Sequence, residues 1–250
     1  MIKTLSNYEI YSIENPLFHP QNSDKIYFYF KNSLYFIEIN NTNPQKSLIS
    51  PPVIQDILAY TIYGNKILYI NTEGKFYKTN LEISSFKNIF DIPLLKPEQS
   101  IGIVNDEILV INNSLYFLNP ENQIFEKITD NIEKTAFSDD ENKIVWQTKD
   151  KIGIIWMKED FGQPQRKKYE TEIIIKTTEE ISQAVWYSKT NQHIIFVIGD
   201  DIKITELDGR QERNTNNIFS IKNPEIFYNK DNEKLYILSN EQLFEINMKN

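Results

Sequence analysis

The chain has 250 residues, a formal net charge of −8, 40% apolar residues and no cysteine. That apolar content suffices for one large core or two small ones, and the lack of cysteine excludes disulfides, thiolate metal sites and cysteine nucleophiles. The negative balance argues against nucleic acid, because phosphate binding needs a basic face. Only three arginines are present, Arg166, Arg210 and Arg213, which leaves little for bidentate recognition of phosphate or carboxylate. No apolar run approaches the roughly 18 residues of a membrane helix, and the start, MIKTLSNYEIYS, lacks the apolar stretch of a signal peptide. The chain therefore reads as soluble and not itself inserted in a membrane; a piece cut from a longer anchored protein would read the same way.

In chain order, the first predicted strand is YEIYSI, residues 8–13. A strand ending near Phe18 follows, then the polar turn HPQNSD, the apolar run KIYFYF from Lys25, the strand LYFIEIN (34–40) and KSLIS (46–50). The same layout returns. Apolar runs begin at Lys66 (KILYIN), Glu107 (EILVIN), Lys143 (KIVWQT), His193 (HIIFVI) and Lys234 (KLYILS), at spacings of 41, 41, 36, 50 and 41 from Lys25 onward. An aromatic-ended strand precedes the run in four of these later units, at Tyr60, Phe137, Trp186 and Phe227. Asn, Asp, Ser and Gly fill the turns, as residues that tolerate positive φ or bond their own backbone. A third strand follows each run: KFYKTNL (75–81), LYFLNP (115–120), IGIIWMK (152–158), IKITELD (202–208) and LFEINMK (243–249). A fourth follows in KNIFDI (87–92), IFEKIT (124–129), TEIIIK (171–176) and NIFSIK (217–222).

Repeats of roughly 40–45 residues with four strands each are the signature of propeller blades. The sequence predicts an all-β, six-bladed β-propeller of four-stranded blades, as a single domain over residues 1–250, with blades near 15–50, 56–94, 99–130, 132–178, 181–222 and 224–250. The sixth unit ends without a fourth strand, and residues 1–14 supply a spare one, so the N-terminal strand is expected to complete the last blade and close the ring. A β-solenoid and a pair of packed sandwiches are the competing architectures. Solenoid repeats are shorter, and sandwiches do not account for a strand missing at one end and spare at the other.

The pattern of aromatic, polar turn, apolar run, turn and third strand, best preserved in WYSKTNQHIIFVIGDDIKITELDGR, resembles the TolB-like and WD40-like propeller repeat. The stretches ISQAVWYSKTNQHIIFVIGDDIKITELDGRQERNT and PEIFYNKDNEKLYILSNEQLFEI are similar to the C-terminal propeller-like region of PEGA-domain-containing bacterial proteins. That resemblance implies an envelope setting rather than a reaction, and this chain carries neither the anchor nor the PEGA modules of that family.

The chemical inventory is sparse. His19 and His193 are the only histidines, one in a turn and one opening a strand, and cannot form a metal pair at helical spacing. The adjacent acids Asp139-Asp140-Glu141, Glu179-Glu180 and Asp200-Asp201 read as turn residues, since neighbours along a strand point to opposite faces. No nucleophile elbow or Gly-rich phosphate loop occurs. No catalytic, cofactor or metal site is therefore expected. Trp146, Trp156 and Trp186 all fall in predicted strands and read as core. The long spacing of 50 comes from KEDFGQPQRKKYE, residues 158–170. It reads as a protruding basic loop outside the repeat core, with Phe161, Arg166, Lys167 and Lys168 as candidate partner contacts. On that reading, changing its three basic residues to Ser leaves the fold intact.

The expected function is a non-enzymatic, monomeric binding scaffold for a protein, peptide or cell-surface ligand. The alternative is a hydrolase or lyase with acids or tyrosines gathered at a central channel. Converging acids there favour the enzyme, and an uncharged channel favours the scaffold.

Overall fold

The computed structural model describes residues 14–39, 48–92, 100–119 and 124–248. Among these there is no helix, and the strands form six antiparallel sheets, each built from consecutive strands in chain order. The first sheet holds β1 (Glu14–His19), β2 (Asn22–Phe30), β3 (Ser33–Glu38) and β4 (Leu48–Ile49). The second holds β5 (Ile57–Tyr63), β6 (Lys66–Asn71), β7 (Lys75–Asn80) and β8 (Phe86–Asp91); the third, β9 (Ile101–Ile103), β10 (Ile108–Ile111), β11 (Ser114–Asn119) and β12 (Ile124–Thr129). The fourth holds β13 (Lys134–Phe137), β14 (Lys143–Gln147), β15 (Lys151–Trp156) and β16 (Thr171–Lys176). The fifth holds β17 (Ile181–Trp186), β18 (His193–Ile198), β19 (Asp201–Glu206) and β20 (Thr215–Ser220). The sixth has three strands, β21 (Glu225–Asn229), β22 (Lys234–Ser239) and β23 (Gln242–Asn247). The chain divides after Lys127 into two compact units.

Each predicted apolar run supplies the second strand of a sheet, and each predicted third and fourth strand lies where expected, apart from residues of KSLIS and from Asn40, Pro120 and Lys249, which lie outside the described set. The third sheet adds a strand that the repeat pattern did not supply. β9 is only three residues long, and Asn105 makes the turn after it by accepting hydrogen bonds from the Glu107 and Ile108 amides at 2.9 and 2.7 Å. The predicted closing strand, residues 8–13, lies outside the described residues.

The hairpin turns follow from their sequences. Lys31-Asn32, Asn112-Asn113 and Asn240-Glu241 join second to third strands as two-residue turns with positive φ at both positions, 47 and 56, 49 and 60, and 48 and 64°. That is the type I′ geometry whose twist matches the flanking strands, and Asn tolerates it well.

The core lies between neighbouring sheets rather than within any one, because a single sheet cannot bury its own faces. In the first unit, Tyr27 and Leu34 of the first sheet pack against Ile57, Tyr60, Ile67 and Tyr69 of the second. Leu68, Ile70 and Phe76 on the second sheet's other face meet Ile103 and Leu109 of the third. In the second unit, Val145, Ile152, Ile154 and Trp156 of the fourth sheet meet Ala184, Trp186, Ile194 and Phe196 of the fifth. The fifth sheet's other face, with Ile195, Val197 and Ile202, meets Ile226, Leu235 and Ile237 of the sixth. Alternation along each strand sends successive residues to the two interfaces.

Polar side chains stitch sheet to sheet where they would otherwise be buried unpaired. The Tyr27 hydroxyl donates to the Leu81 carbonyl at 2.9 Å, and the Trp186 indole N–H to the Ala136 carbonyl at 3.0 Å. The Gln183 amide pairs both ways with the backbone of Ile226, donating at 2.6 Å and accepting at 2.8 Å. Trp146, Trp156 and Trp186 are all buried.

Candidate functional site

The connection between β15 and β16 is the longest link between consecutive strands of one sheet among the described residues. Its neck is a short ladder: Asp160 and Arg166 exchange backbone hydrogen bonds at 2.9 Å each way, with a cis Gln163–Pro164 bond at the tip. Below the neck, the Tyr169 amide donates to the Trp156 carbonyl at 2.6 Å and the Trp156 amide to the Glu170 carbonyl at 3.0 Å. At the tip, Phe161 is 77% exposed, the highest value among the exposed large hydrophobic side chains of the described residues. The Asp160 carboxylate accepts the Gly162 amide at 2.9 Å and so fixes the turn beneath it.

Arg166 corrects the expectation of a uniformly protruding basic loop. Its side chain is only 15% exposed and lies inward. The guanidinium sits 4.7 Å from the centre of the Trp156 ring, donates through Nη1 to Glu170 at 2.7 Å, and donates through Nη2 to Glu172 at 2.5 Å. The other Glu172 oxygen accepts from Arg213, which lies in the connection between β19 and β20. Two arginines and two glutamates thus bolt the long connections of the fourth and fifth sheets together. The cause is desolvation: a half-buried guanidinium is stable only when its fork is matched by carboxylates, and planar Arg also stacks on an aromatic face. The Lys167 amide and the Arg166 side chain both bond Glu170 and hold its carboxyl below the usual range. A Cβ at Gly209 would come closer than 3.0 Å to the Arg213 guanidinium, so a side chain there would push Arg213 away from its present place beside Glu172.

Lys167 and Lys168 are exposed, and the Lys168 ammonium lies 4.4 Å from the Tyr169 ring centre. The expected uniform tolerance to Ser therefore splits. Arg166→Ala should lower stability by about 2 kcal/mol, because it leaves Glu170 only the Lys167 amide, leaves Glu172 only Arg213, and uncovers Trp156. Lys167→Ser and Lys168→Ser should each stay within about 0.5 kcal/mol. Urea unfolding midpoints of the three variants check this.

The remaining candidates are engaged locally. His19 ends β1, accepts the Gln21 amide through Nδ1 at 3.1 Å and stacks on Tyr27. His193 opens β18 with Nδ1 3.0 Å from the Thr190 hydroxyl, and burial lowers its pKa. Asp140 accepts the Ser138 hydroxyl at 2.6 Å and the Asn142 amide at 3.1 Å within its own turn. Asp201 accepts the Ser220 hydroxyl at 2.6 Å, Asp139 pairs with Lys230 at 3.0 Å, and Glu180 pairs with Lys149 at 3.1 Å. Among the described residues no cluster of three or more His, Cys, Asp or Glu side chains is placed to hold a metal. Between the first strands of the fourth and fifth sheets lies a cavity of about 390 Å³, lined by residues that include Glu133, Lys134, Thr135, Gln147 and Gln183. It carries a single acid beside a single base.

The residues missed by sequence reasoning are Glu170, Glu172, Arg213 and Gly209. The signal for the first two was present, as carboxylates four and six positions after Arg166. Arg213 comes from the neighbouring repeat and left no local mark.

No family model matches the sequence, and no curated protein matches it. Among solved structures, Kluyveromyces lactis Hsv2 aligns with a TM-score of 0.57 at 13% identity, over 95% of this chain and 75% of that one. K. lactis Hsv2 with loop 6CD replaced by a Gly-Ser linker aligns at 0.54 and 13%, over 94% and 77%. YCF48 from Cyanidioschyzon merolae aligns at 0.49 and 14%, over 92% and 79%, too low a score to carry weight. At these identities the likeness shows the fold alone. With six sheets of three or four antiparallel strands, that fold is a β-propeller.

Proposed function

We propose that this chain is a non-enzymatic propeller that binds a protein partner through the 158–170 loop, with Phe161 as the apolar anchor. The observation that carries the reading is a large hydrophobic side chain, 77% exposed, on a tip braced by paired backbone at Asp160 and Arg166. An exposed aromatic in a stiff setting binds at low entropic cost, and aromatic anchors carry much of an interface's energy. Lys167 and Lys168 form the polar rim. The alternative is a hydrolase or lyase with acids or tyrosines at a central channel; the cavity between the fourth and fifth sheets holds a single acid, Glu133. Relationship to TolB-like repeats and PEGA-associated tails, with the envelope setting it implies, rests on the quoted repeats alone.

We also infer that the ring is closed by residues 8–13 pairing with β23. Among the described residues the sixth sheet has one strand fewer than the others, and Leu243 on its last strand is 69% exposed. A closed ring would present the loop as a monomer.

The test of the function is site-directed photo-crosslinking in the source cells. A benzophenone amino acid replaces Phe161 in one variant and Phe219, itself 41% exposed on β20, in a control. One protein should be captured from position 161 and not from 219. Recombined with the purified chain, it should bind Phe161→Ser about thirtyfold more weakly. Identical adducts from both positions, or unchanged binding by Phe161→Ser, overturn the reading.

A further inference from the structure

Beside the loop, facing the fifth sheet, lies a second cavity of about 170 Å³. Pro164 and Asp160 wall it from the loop, Leu207 and Asp208 wall it from the fifth sheet, and Trp156 and Arg166 also line it. It is too small for a whole ligand, since such sites run to roughly 300–1,000 Å³. It is large enough for one side-chain head, since a cavity of about 150 Å³ holds benzene.

Its charges decide what enters. The charge of Arg166 is already matched, since Nη1 donates to Glu170 and Nη2 to Glu172, and its Nε is enclosed. The two arginines and two glutamates of the bolt cancel. What remains is Asp160, whose Oδ1 accepts the Gly162 amide and whose Oδ2 has no hydrogen-bond partner among the described residues. Asp208, also in the lining, is already paired with Arg210, whose Nε lies 3.0 Å from both its oxygens and whose Nη2 donates at 2.5 Å, in an exposed ion pair of small net worth. Gln192 and Gln163, also in the lining, are neutral. The chain as a whole is anionic.

We propose that this cavity takes the basic head of a lysine or arginine side chain, with the Asp160 carboxylate as its counter-ion. The proposal rests on the loop reading: the residue would belong to the partner segment that Phe161 contacts. The geometry gives that segment two fixed points, an apolar one on the tip and a cationic one at the neck. Such spacing is how short peptides are read with specificity.

The test uses the full chain with 15N-labelled tryptophan and N-acetyl-arginine amide as probe. The Trp156 indole signal is assigned from Trp156→Phe, or from through-space contacts to Pro164 and Leu207 should that variant fail to fold. This signal should move saturably with a dissociation constant of about 1–10 mM, as suits a single side chain. N-acetyl-glutamate amide should leave it in place. Asp160→Asn keeps an oxygen for the Gly162 amide and removes only the charge, so it should weaken the arginine probe about tenfold. No saturable shift, an equal shift with the glutamate probe, or an unaltered affinity in Asp160→Asn overturns the cavity assignment. Loss of the cavity with the position-161 crosslink retained discards the cavity and keeps the loop. Arginine binding without the crosslink sinks the loop reading alone.

Discussion

Gly153→Ala should destabilise the protein by about 3–5 kcal/mol, against the sign that strand propensity gives. In a strand interior Gly is ordinarily worse than Ala by roughly 0.5–1 kcal/mol, so alanine should help on backbone grounds. Here the register sets Gly153 on β15 directly opposite Trp146 on β14, and the indole lies across the glycine. A Cβ at position 153 would come closer than 3.0 Å to three atoms of the ring, Cζ2, Cε2 and Cη2. The ring is rigid and 3% exposed, so it cannot slide aside as a lysine would. Either the strands part or the indole leaves its site, and the second course costs what a buried Trp is worth. Gly102 on β9 is the control. Its nearest neighbour for a new Cβ is the Val110 Cβ at 3.7 Å, an ordinary contact, so Gly102→Ala should be neutral or slightly stabilising. Thermal melts of the two variants decide between packing and propensity. A shift under about 6 °C for Gly153→Ala would show that Trp146 repacks freely. Trp146→Leu in the same chain should make the two losses less than additive, because the smaller side chain removes the clash.

This glycine also marks what the amino-acid sequence reveals and what it hides. Strand identity and order were legible because they are encoded locally. Short continuous apolar runs such as KILYIN or HIIFVI, bounded by polar turns, fix a strand buried on both faces, and Asn-rich pairs such as Asn112-Asn113 fix the turns. The interfaces between sheets were legible only as a need for cover. Nothing within IGIIWMK says that Gly153 is where the Trp146 indole lies, since the pairing joins two strands across a turn. The strand β9 was hidden for a related reason: a three-residue strand carries too little alternation, and a side chain, Asn105, makes the turn after it. The loop at 158–170 was visible as an extra length in the repeat, and Phe161 stands at its tip. Arg166 was misjudged because charge alone suggests a solvated residue. Its partners Glu170 and Glu172 are near in sequence, but the Trp156 face beneath it and the Arg213 fork beyond it belong to the tertiary arrangement. The cavity by Asp160 has walls from two repeats and was invisible for the same reason.

Removing residues 1–13 should lower the melting temperature by about 5–15 °C and make the protein self-associate. The inferred closure assigns YEIYSI, residues 8–13, as the fourth strand of the sixth sheet. Among the described residues β23 is an end strand, paired only with β22. Such an end presents a row of unpaired backbone donors and acceptors, a template for any other strand. The strand is also poorly covered: Leu243 is 69% exposed, Phe244 36%, and Leu238 beside Leu243 in the register 42%. Covering side chains of this size is worth roughly 1.5–3 kcal/mol each when complete. A loss of about 2–4 kcal/mol therefore follows from incomplete burial of two, at roughly 2–4 °C per kcal/mol for a chain of this length. Since the chain has no cysteine, a single introduced pair tests the register without competition. Among cysteines placed one at a time along residues 8–13, one should form an intramolecular disulfide with Phe244→Cys on mild oxidation and raise the melting temperature, while none should with Phe86→Cys, on the exposed outer strand of the second sheet. If the truncated chain melts unchanged and stays monodisperse, the sixth sheet ends at β23 and the ring is closed, if at all, by packing alone. In that case the exposed edge itself becomes the place where a partner strand would add.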